Sequence, residues 1–174
     1  MGSKKPLKLI IAGSREFNDY KTLQLGTDWF LYEILGQGFA PDMVEIVSGT
    51  ALGADRLGER YAIDNGMGIK RFPANWKMYG KSAGFKRNRK MAIYADALIA
   101  FPLGKSSGTR DMIKQARGLG LTVRYGQRCA NESISYTAEF RQSIEDDNEF
   151  MLEEMDRESE RSLNEAIAAG GYYQ

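Results

Sequence analysis

Three turns rich in glycine and hydroxyl residues are the features of this 174-residue sequence that could do chemistry. Each turn follows a short apolar run and precedes a segment with helical spacing, as between a parallel strand and a helix. Backbone N–H groups at such a turn, together with the helix dipole, form a site for an anion such as phosphate. The turns contain Gly13, Ser14 and Arg15; Ser48, Gly49, Thr50, Gly53, Ala54 and Asp55; and Gly104, Lys105, Ser106, Ser107, Gly108 and Thr109.

We expect these turns to converge on one pocket, because ligands of open parallel sheets bind at the carboxyl ends of the strands. Glycine lets the backbone approach a phosphate closely, and Arg15 can donate two hydrogen bonds to it. Tight packing between strand and helix would explain one such turn equally well, but three together favour a nucleotide pocket. The patterns GxxxxGK[ST] and GxGxxG are both missing, which argues against ordinary P-loop NTPases and dehydrogenases.

The residue types that are missing limit the catalytic options. Histidine is absent, which removes the commonest general base, Ser–His and Cys–His pairs, and His-ligated metals. The single cysteine, Cys129, can form neither an intramolecular disulfide nor a metal site made of cysteines alone. We therefore expect no metal and no cofactor, and any catalysis would depend on carboxylates, lysine, tyrosine or backbone donors.

A basic run interleaved with aromatic residues lies between the second and third turns. We expect Trp76 and Lys81 to contribute to a lid, in which a ring stacks on a base and cations neutralise phosphates. A nucleic-acid track and a solvated helix face are the alternatives. The run comprises Trp76, Lys77, Tyr79, Lys81, Phe85, Lys86, Arg87, Arg89 and Lys90.

The segments around the turns predict an α/β fold. Residues 74–84 show no clear period and are expected to form the longest loop, and Glu59 is expected at the surface. Alternating strands and helices predict a Rossmann-like, mainly parallel sheet of about five strands with helices on both faces, plus an acidic C-terminal helical extension. The strands are expected at residues 8–12, 44–47, 69–72, 97–101 and 121–125.

Charge divides the chain into two parts, although the net charge of the whole is only +1. Residues 1–128 contain 21 Lys and Arg against 11 Asp and Glu, whereas residues 129–174 contain 3 against 12. We expect a nucleotide-binding domain at 1–128, whose basic character suits an anionic ligand, and an acidic helical extension at 129–174. Apolar residues at helical spacing in the extension suggest a homo-oligomer formed through it or through helix faces.

No apolar run is long enough to span a membrane, and the N-terminus lacks the apolar core of a signal peptide. The single cysteine fits a reducing compartment. These observations predict a cytoplasmic protein without a membrane partner, located in the host cytoplasm if a phage encodes it.

Four segments together resemble the SLOG superfamily, and more narrowly its YpsA-related branch of small phage and bacterial proteins. The superfamily also includes the LOG phosphoribohydrolases, the DNA-processing protein DprA and nucleotide-sensing domains of antiphage systems. The resemblance covers about residues 8–125 and implies a Rossmann-like fold with a nucleotide-derived ligand at the strand ends. The segments are GSREF (13–17), VSGTALGADRLGERYA (47–62), FPANWKMYGKSAGFKRNRKMAIYADALIAF (72–101) and GKSSGTRDMI (104–113).

Position by position, the resemblance implies that the three turns contact the ligand, together with Arg87 and Asn88 on a helix. The sequence departs from the LOG enzymes at the position of their catalytic glutamate, which falls on Met112. Methionine can neither act as a base nor stabilise an oxocarbenium ion, and the adjacent Asp111 points about 100° away on a helix. The departure argues against LOG-type cleavage and leaves ligand binding intact.

These observations favour a protein that binds a phosphorylated nucleoside derivative, namely a mononucleotide, an ADP-ribose-type molecule or a cyclic nucleotide signal. The phage branch of the resemblance adds the sequestration of a host antiphage defence signal as a role. One alternative is a LOG-like nucleoside-phosphate glycosidase that uses Asp55, Asp111 or Glu16. The other is a DprA-like binder of single-stranded nucleic acid, against which the acidic extension argues, so nucleic acid is not the partner we expect.

Overall fold

The computed structural model describes residues 5–135, which form a five-stranded sheet with helices on both faces. The strands are β1 (Leu7–Gly13), β2 (Val44–Ser48), β3 (Gly68–Arg71), β4 (Ala97–Phe101) and β5 (Thr122–Tyr125). The helices are α1 (Tyr20–Leu35), α2 (Ala54–Asp64), the single turn α3 (Trp76–Tyr79), α4 (Ala83–Tyr94), α5 (Ser107–Gly118) and α6 (residues 126–135). The predicted Rossmann-like α/β fold is confirmed.

The five strands belong to a compact unit that ends at Ser133. The predicted acidic extension lies outside the described residues from position 136 onward. Its helices, its boundary and the self-association expected of it therefore stay predictions. None of the helices in the described part of the chain is long and apolar enough to cross a membrane.

All five strands are parallel and lie in the order β3-β2-β1-β4-β5. The chain builds outward from β1 to β3 and then crosses to β4 on the other side of β1. This change of direction opens a crevice at the carboxyl ends of β1 and β4. The register aligns Gly13 with Phe101 there, so the first and third glycine-rich turns start side by side.

The central strands are buried on both faces, which explains their continuous apolar sequence. Leu9 and Ile11 of β1 face a core cluster shared with α1 and α2. Ile10 and Ala12 face a second cluster shared with α4 and α5. The two helix layers thus fix the sheet from both sides and hold the strand ends in place.

The predicted loop at residues 74–84 is wrong, because most of it is helical. The side chain of Asn75 accepts a hydrogen bond of 3.0 Å from the N–H of Met78, and this cap starts α3. Gly80, with a φ of 49°, ends α3, and a turn of 3-10 helix leads into α4. A single helical turn is too short to show the 3.6-residue period on which the sequence prediction relied.

Gly126 should tolerate no side chain, since a Cβ there would lie within 2.5 Å of Cδ1 in the ring of Phe101. We expect Gly126→Ala to lower the free energy of unfolding by about 1–3 kcal/mol, the usual cost of overpacking. Gly118→Ala is the control: a Cβ at Gly118 meets no heavy atom within 4 Å. It should leave stability unchanged or raise it by up to about 1 kcal/mol. Urea denaturation measures both, and equal stabilities would contradict the packing.

Candidate ligand-binding site

A cavity of about 600 Å³ opens at the carboxyl ends of β1 and β4. Its volume is typical of a small-molecule site, roughly 300–1,000 Å³. Fourteen of the predicted contact residues line it: Gly13, Ser14, Arg15, Asp55, Trp76, Lys81, Arg87, Asn88, Gly104, Lys105, Ser106, Ser107, Gly108 and Thr109. The wall also includes Ala12, Glu16, Ala51, Gly84, Phe85, Met91, Leu103 and Met112.

The remaining five predicted residues, all from the second turn, are not part of the cavity wall: Ser48, Gly49, Thr50, Gly53 and Ala54. Ser48 is buried, and its Oγ donates a hydrogen bond of 2.7 Å to Oε1 of Glu59. The same Oγ accepts a hydrogen bond of 3.0 Å from the N–H of Thr50. The Ser48 hydroxyl therefore shapes the turn and has no hydrogen left to donate to a ligand.

The prediction that Glu59 lies at the surface is wrong, because this residue is only 7% exposed. Its second oxygen accepts a hydrogen bond of 2.9 Å from Nε of Arg71, so the charge is paired. Glu59 lies one helical turn after Asp55 and next to Gly58, which packs against Ile11 of the sheet. A glycine within a helix often marks close packing, so Gly58 is the feature of the sequence that could have predicted a buried Glu59 beside it.

Ser14 joins the first and third turns. Its N–H donates to the carbonyl of Phe101 at 3.1 Å, and its Oγ donates to the carbonyl of Leu103 at 2.9 Å. The Oγ also accepts a hydrogen bond of 2.6 Å from the N–H of Leu103. A Cβ at the preceding Gly13 would lie 2.7 Å from Cβ of Ala54. These contacts fix the floor of the cavity where β1 and β4 end.

The third turn leads into the N-terminus of α5, where an anion can bind. The Oγ of Ser106 caps the helix by accepting a hydrogen bond of 3.4 Å from the N–H of Thr109. The N–H groups of Ser107 and Gly108, in the first turn of the helix, have no acceptor within it. They carry the positive end of the helix dipole, and the exposed Lys105 adds a full charge beside them.

Arg87 links α4 to the second turn. One nitrogen, Nη1, donates to the carbonyl of Gly49 and lies 3.8 Å from Oδ2 of Asp55. The Nε of Arg87 donates to Oδ1 of Asn88 at 3.0 Å, and Nδ2 of Asn88 donates to Oδ2 of Asp111 at 2.8 Å. Asn88 therefore orients the arginine and ties α4 to α5, and the guanidinium faces the cavity in a fixed position.

Asp55 lines the cavity although only 4% of its surface is exposed. Burial raises the pKa of its carboxyl to about 6, and the Arg87 charge and the N–H groups of Ala51 and Gly49 oppose that rise. Burial also lowers the pKa of Arg87, and the positive charge of Arg15 adds to this effect. An anionic ligand between the two arginines would relieve their repulsion.

The turn before Asp55 contains a strained backbone. Thr50 has a φ of 61° and is the only non-glycine residue with a positive φ among residues 5–135. This conformation costs a β-branched residue of order 1–3 kcal/mol. The hydrogen bonds from Thr50 to Ser48 and from Arg87 to Gly49 hold the strained turn in place.

Met112 lines the cavity and is 2% exposed, packed in the cluster between α5 and the sheet. The adjacent Asp111 does not line the cavity and accepts hydrogen bonds from Asn88 and Gln115. The position at which the resemblance to LOG enzymes places a catalytic glutamate is thus occupied by an apolar side chain.

The structure divides the predicted basic run into two groups. Trp76 and Phe85, which are 51% and 45% exposed, line the cavity together with Lys81 and Arg87. Four cations are not part of the cavity wall: Lys77, Lys86, Arg89 and Lys90. The cavity is therefore bordered by exposed aromatic surface on one side and by the anion site of α5 on another.

Asp55 should titrate well above an ordinary aspartate, whose pKa is about 3.8. Because its folded pKa is raised, its contribution to stability is complete below about pH 4 and is lost as the pH rises through about 6. We expect Arg87→Gln to raise the pKa further, since the charge that favours the carboxylate is removed. Carbon-13 NMR titration of the carboxyl group measures both.

Asp19 is the internal control for that titration. Hydrogen bonds from Thr22 lower the pKa of this exposed carboxyl, and the value should be the same with and without Arg87. A wild-type Asp55 that titrates near 3.8 would contradict its burial beside the cavity.

Two structures of DNA processing protein A share the fold. The protein from Streptococcus pneumoniae is 17% identical with a TM-score of 0.52, covering 75% of this chain and 56% of that one. The protein from Helicobacter pylori, described for its single-stranded DNA binding mode, is 20% identical with a TM-score of 0.50, covering 70% and 65%. This chain spans less than two thirds of either protein, and the likeness establishes the fold alone.

Sequence comparisons identify the family. The model of the family described as "YAcAr: YspA, cpYpsA-related SLOG family" matches residues 7–79, from β1 to the end of α3. The Gene 61 protein of Mycobacterium phage D29 is 34% identical over 124 residues, which cover 67% of this chain and 93% of that protein. The chain belongs to the YspA, cpYpsA-related SLOG family.

Proposed function

We propose that this protein binds a phosphorylated nucleoside derivative in the cavity and does not cleave it. Three kinds of group that line the same cavity support this proposal: the anion site at the start of α5, two arginines, and two exposed aromatic rings. The α5 N-terminus and Lys105 would hold the phosphate, and the rings of Trp76 and Phe85 would stack on the base.

The charges of the wall support an anionic ligand. Its cationic side chains are Arg15, Lys81, Arg87 and Lys105, and its carboxylates are Glu16 and Asp55. Four cations against at most two carboxylates leave a positive excess of at least two charges. That excess matches a phosphate monoester or a diphosphate, and it would draw such a ligand into the cavity.

The identity of the ligand is the next question. We propose a nucleotide-derived defence signal of the host, either of ADP-ribose type or cyclic, which the protein would sequester; a relative encoded by a mycobacteriophage is compatible with such a role. Sequestration requires tight binding without turnover. The apolar Met112 at the position of the LOG glutamate favours that outcome.

Two other functions have specific support. Single-stranded DNA is favoured by the cations outside the cavity wall (Lys77, Lys86, Arg89 and Lys90), by the exposed Trp76, and by the fold shared with DNA processing protein A. Glycosidic cleavage is favoured by Asp55, whose raised pKa would suit a general acid. The size of the cavity favours a small molecule over DNA, and the apolar Met112 in its wall favours binding over cleavage.

Removal of one cavity cation should weaken nucleotide binding. We expect Arg15→Gln to raise the Kd for adenosine 5′-monophosphate or ADP-ribose about 10- to 100-fold, the cost of a charged hydrogen bond. Arg56→Gln is the matched control, because Arg56 is exposed on α2 and does not line the cavity. Calorimetry measures both, and a wild-type protein that binds no member of a nucleotide panel below millimolar concentration would refute the proposal.

The cations outside the cavity wall separate nucleotide from DNA binding. The double variant Lys86→Gln, Lys90→Gln should bind nucleotides like the wild type, because neither lysine lines the cavity. If an oligonucleotide is the true ligand, the variant should bind it more weakly, with a salt dependence reduced by about two ions. Chromatography of the ligand recovered after denaturation tests cleavage: intact ligand supports binding, and free base would show a glycosidase.

A further inference from the structure

The carboxylate of Asp55 reaches the cavity but is unsuited to the phosphate of a ligand. Asp55 lies in the first turn of α2, which follows the turn after β2. A carboxylate would repel a phosphate at short range, and the anion site lies elsewhere, at the start of α5. Asp55 therefore needs another partner.

The protein itself satisfies only part of this carboxylate. The N–H of Ala51 donates a long hydrogen bond of 3.3 Å to Oδ2, and the N–H of Gly49 is a second backbone donor to this carboxylate. The nearest cation, Nη1 of Arg87, is 3.8 Å from the same oxygen and donates its hydrogen bond to Gly49. A carboxylate accepts about four hydrogen bonds. Donors from a ligand would offset the cost of burying this charge.

The order of the strands indicates which part of a nucleotide reaches Asp55. The anion site follows β4 and Asp55 follows β2, and these strands flank β1 on opposite sides. Two strand spacings amount to about 10 Å. Side chains and helix N–H groups extend inward from both turns, so a phosphorylated ribose can span the remaining distance. The exposed rings of Trp76 and Phe85 provide a separate surface for the base.

We propose that Asp55 accepts hydrogen bonds from the 2′- and 3′-hydroxyl groups of the ligand's ribose and thereby selects ribonucleotides over 2′-deoxyribonucleotides. The proposal rests on the proposed nucleotide binding. In dinucleotide-binding Rossmann sites an acidic residue accepts a hydrogen bond from the ribose 2′-hydroxyl. A carboxylate has two acceptor oxygens and can therefore accept from two adjacent hydroxyls. Here the backbone of the second turn and Arg87 hold that carboxylate at the cavity wall.

Calorimetry of the wild-type protein with adenosine and guanosine 5′-monophosphates and their 2′-deoxy forms tests the proposal without any variant. We expect each ribonucleotide to bind about 10- to 100-fold more tightly than its deoxy form, the value of one hydrogen bond to a charged group. Equal affinities would overturn this inference alone. No binding of either form would overturn the proposed function and the inference with it.

The variant Asp55→Asn tests the residue. It should weaken ribonucleotide binding to about the affinity of the 2′-deoxy form and so reduce the preference for ribose to less than about threefold, because the amide has no charge and only one acceptor oxygen in place of two. Asp42→Asn, an exposed aspartate outside the cavity wall, should keep the full preference. A folded Asp55→Asn protein that retains the preference, or that changes the choice between adenine and guanine instead, would overturn the inference.

Discussion

The guanidinium of Arg87 connects parts of the site that come from distant positions in the chain. It projects from α4, which packs on one face of the sheet, and reaches the carbonyl of Gly49 and the carboxylate of Asp55 at the start of α2, which packs on the other face. The cavity lies between these elements because the strand order reverses at β1. Without this cation, the charge of the Asp55 carboxylate would be buried without a nearby opposite charge. The second turn would also lose the hydrogen bond from Arg87 to Gly49.

Buried ion pairs contribute little to stability, since desolvation opposes the attraction between the charges. The pKa of Asp55, raised by burial despite the nearby arginine, is the sign of that cost. Thr50, with its left-handed backbone, adds strain to the same turn. Elsewhere the fold follows ordinary packing rules: the central strands β1 and β4 are largely apolar and buried, and side chains cap α1, α3 and α5. Unfavourable features gathered in the cavity wall and in the turn behind it indicate selection for binding at the expense of stability.

The sequence predicts the strands well because their burial leaves a clear pattern. The strand Ala97–Phe101 is recovered to the residue, since five apolar residues end at Pro102. The single turn α3 has no such pattern and was missed. The three turns indicate where a ligand would bind, but not which atoms face it. Ser14 and Ser48 have hydroxyls that look available in the sequence, yet both bind to the protein, and Leu103 gives no chemical signal although it lines the wall.

The structure also changes how the basic residues bear on the choice of ligand. In the sequence they form one run that would suit a nucleic acid as well as a nucleotide. In the folded chain Arg87 lies inside the cavity beside a carboxylate, whereas Lys86 lies outside the cavity wall with its ammonium 4.8 Å from the ring centre of Tyr79. A polyanionic strand gains from many exposed cations and gains nothing from a buried carboxylate. A small molecule with one phosphate and two sugar hydroxyls would make use of both charges, which is why we propose a nucleotide in preference to DNA.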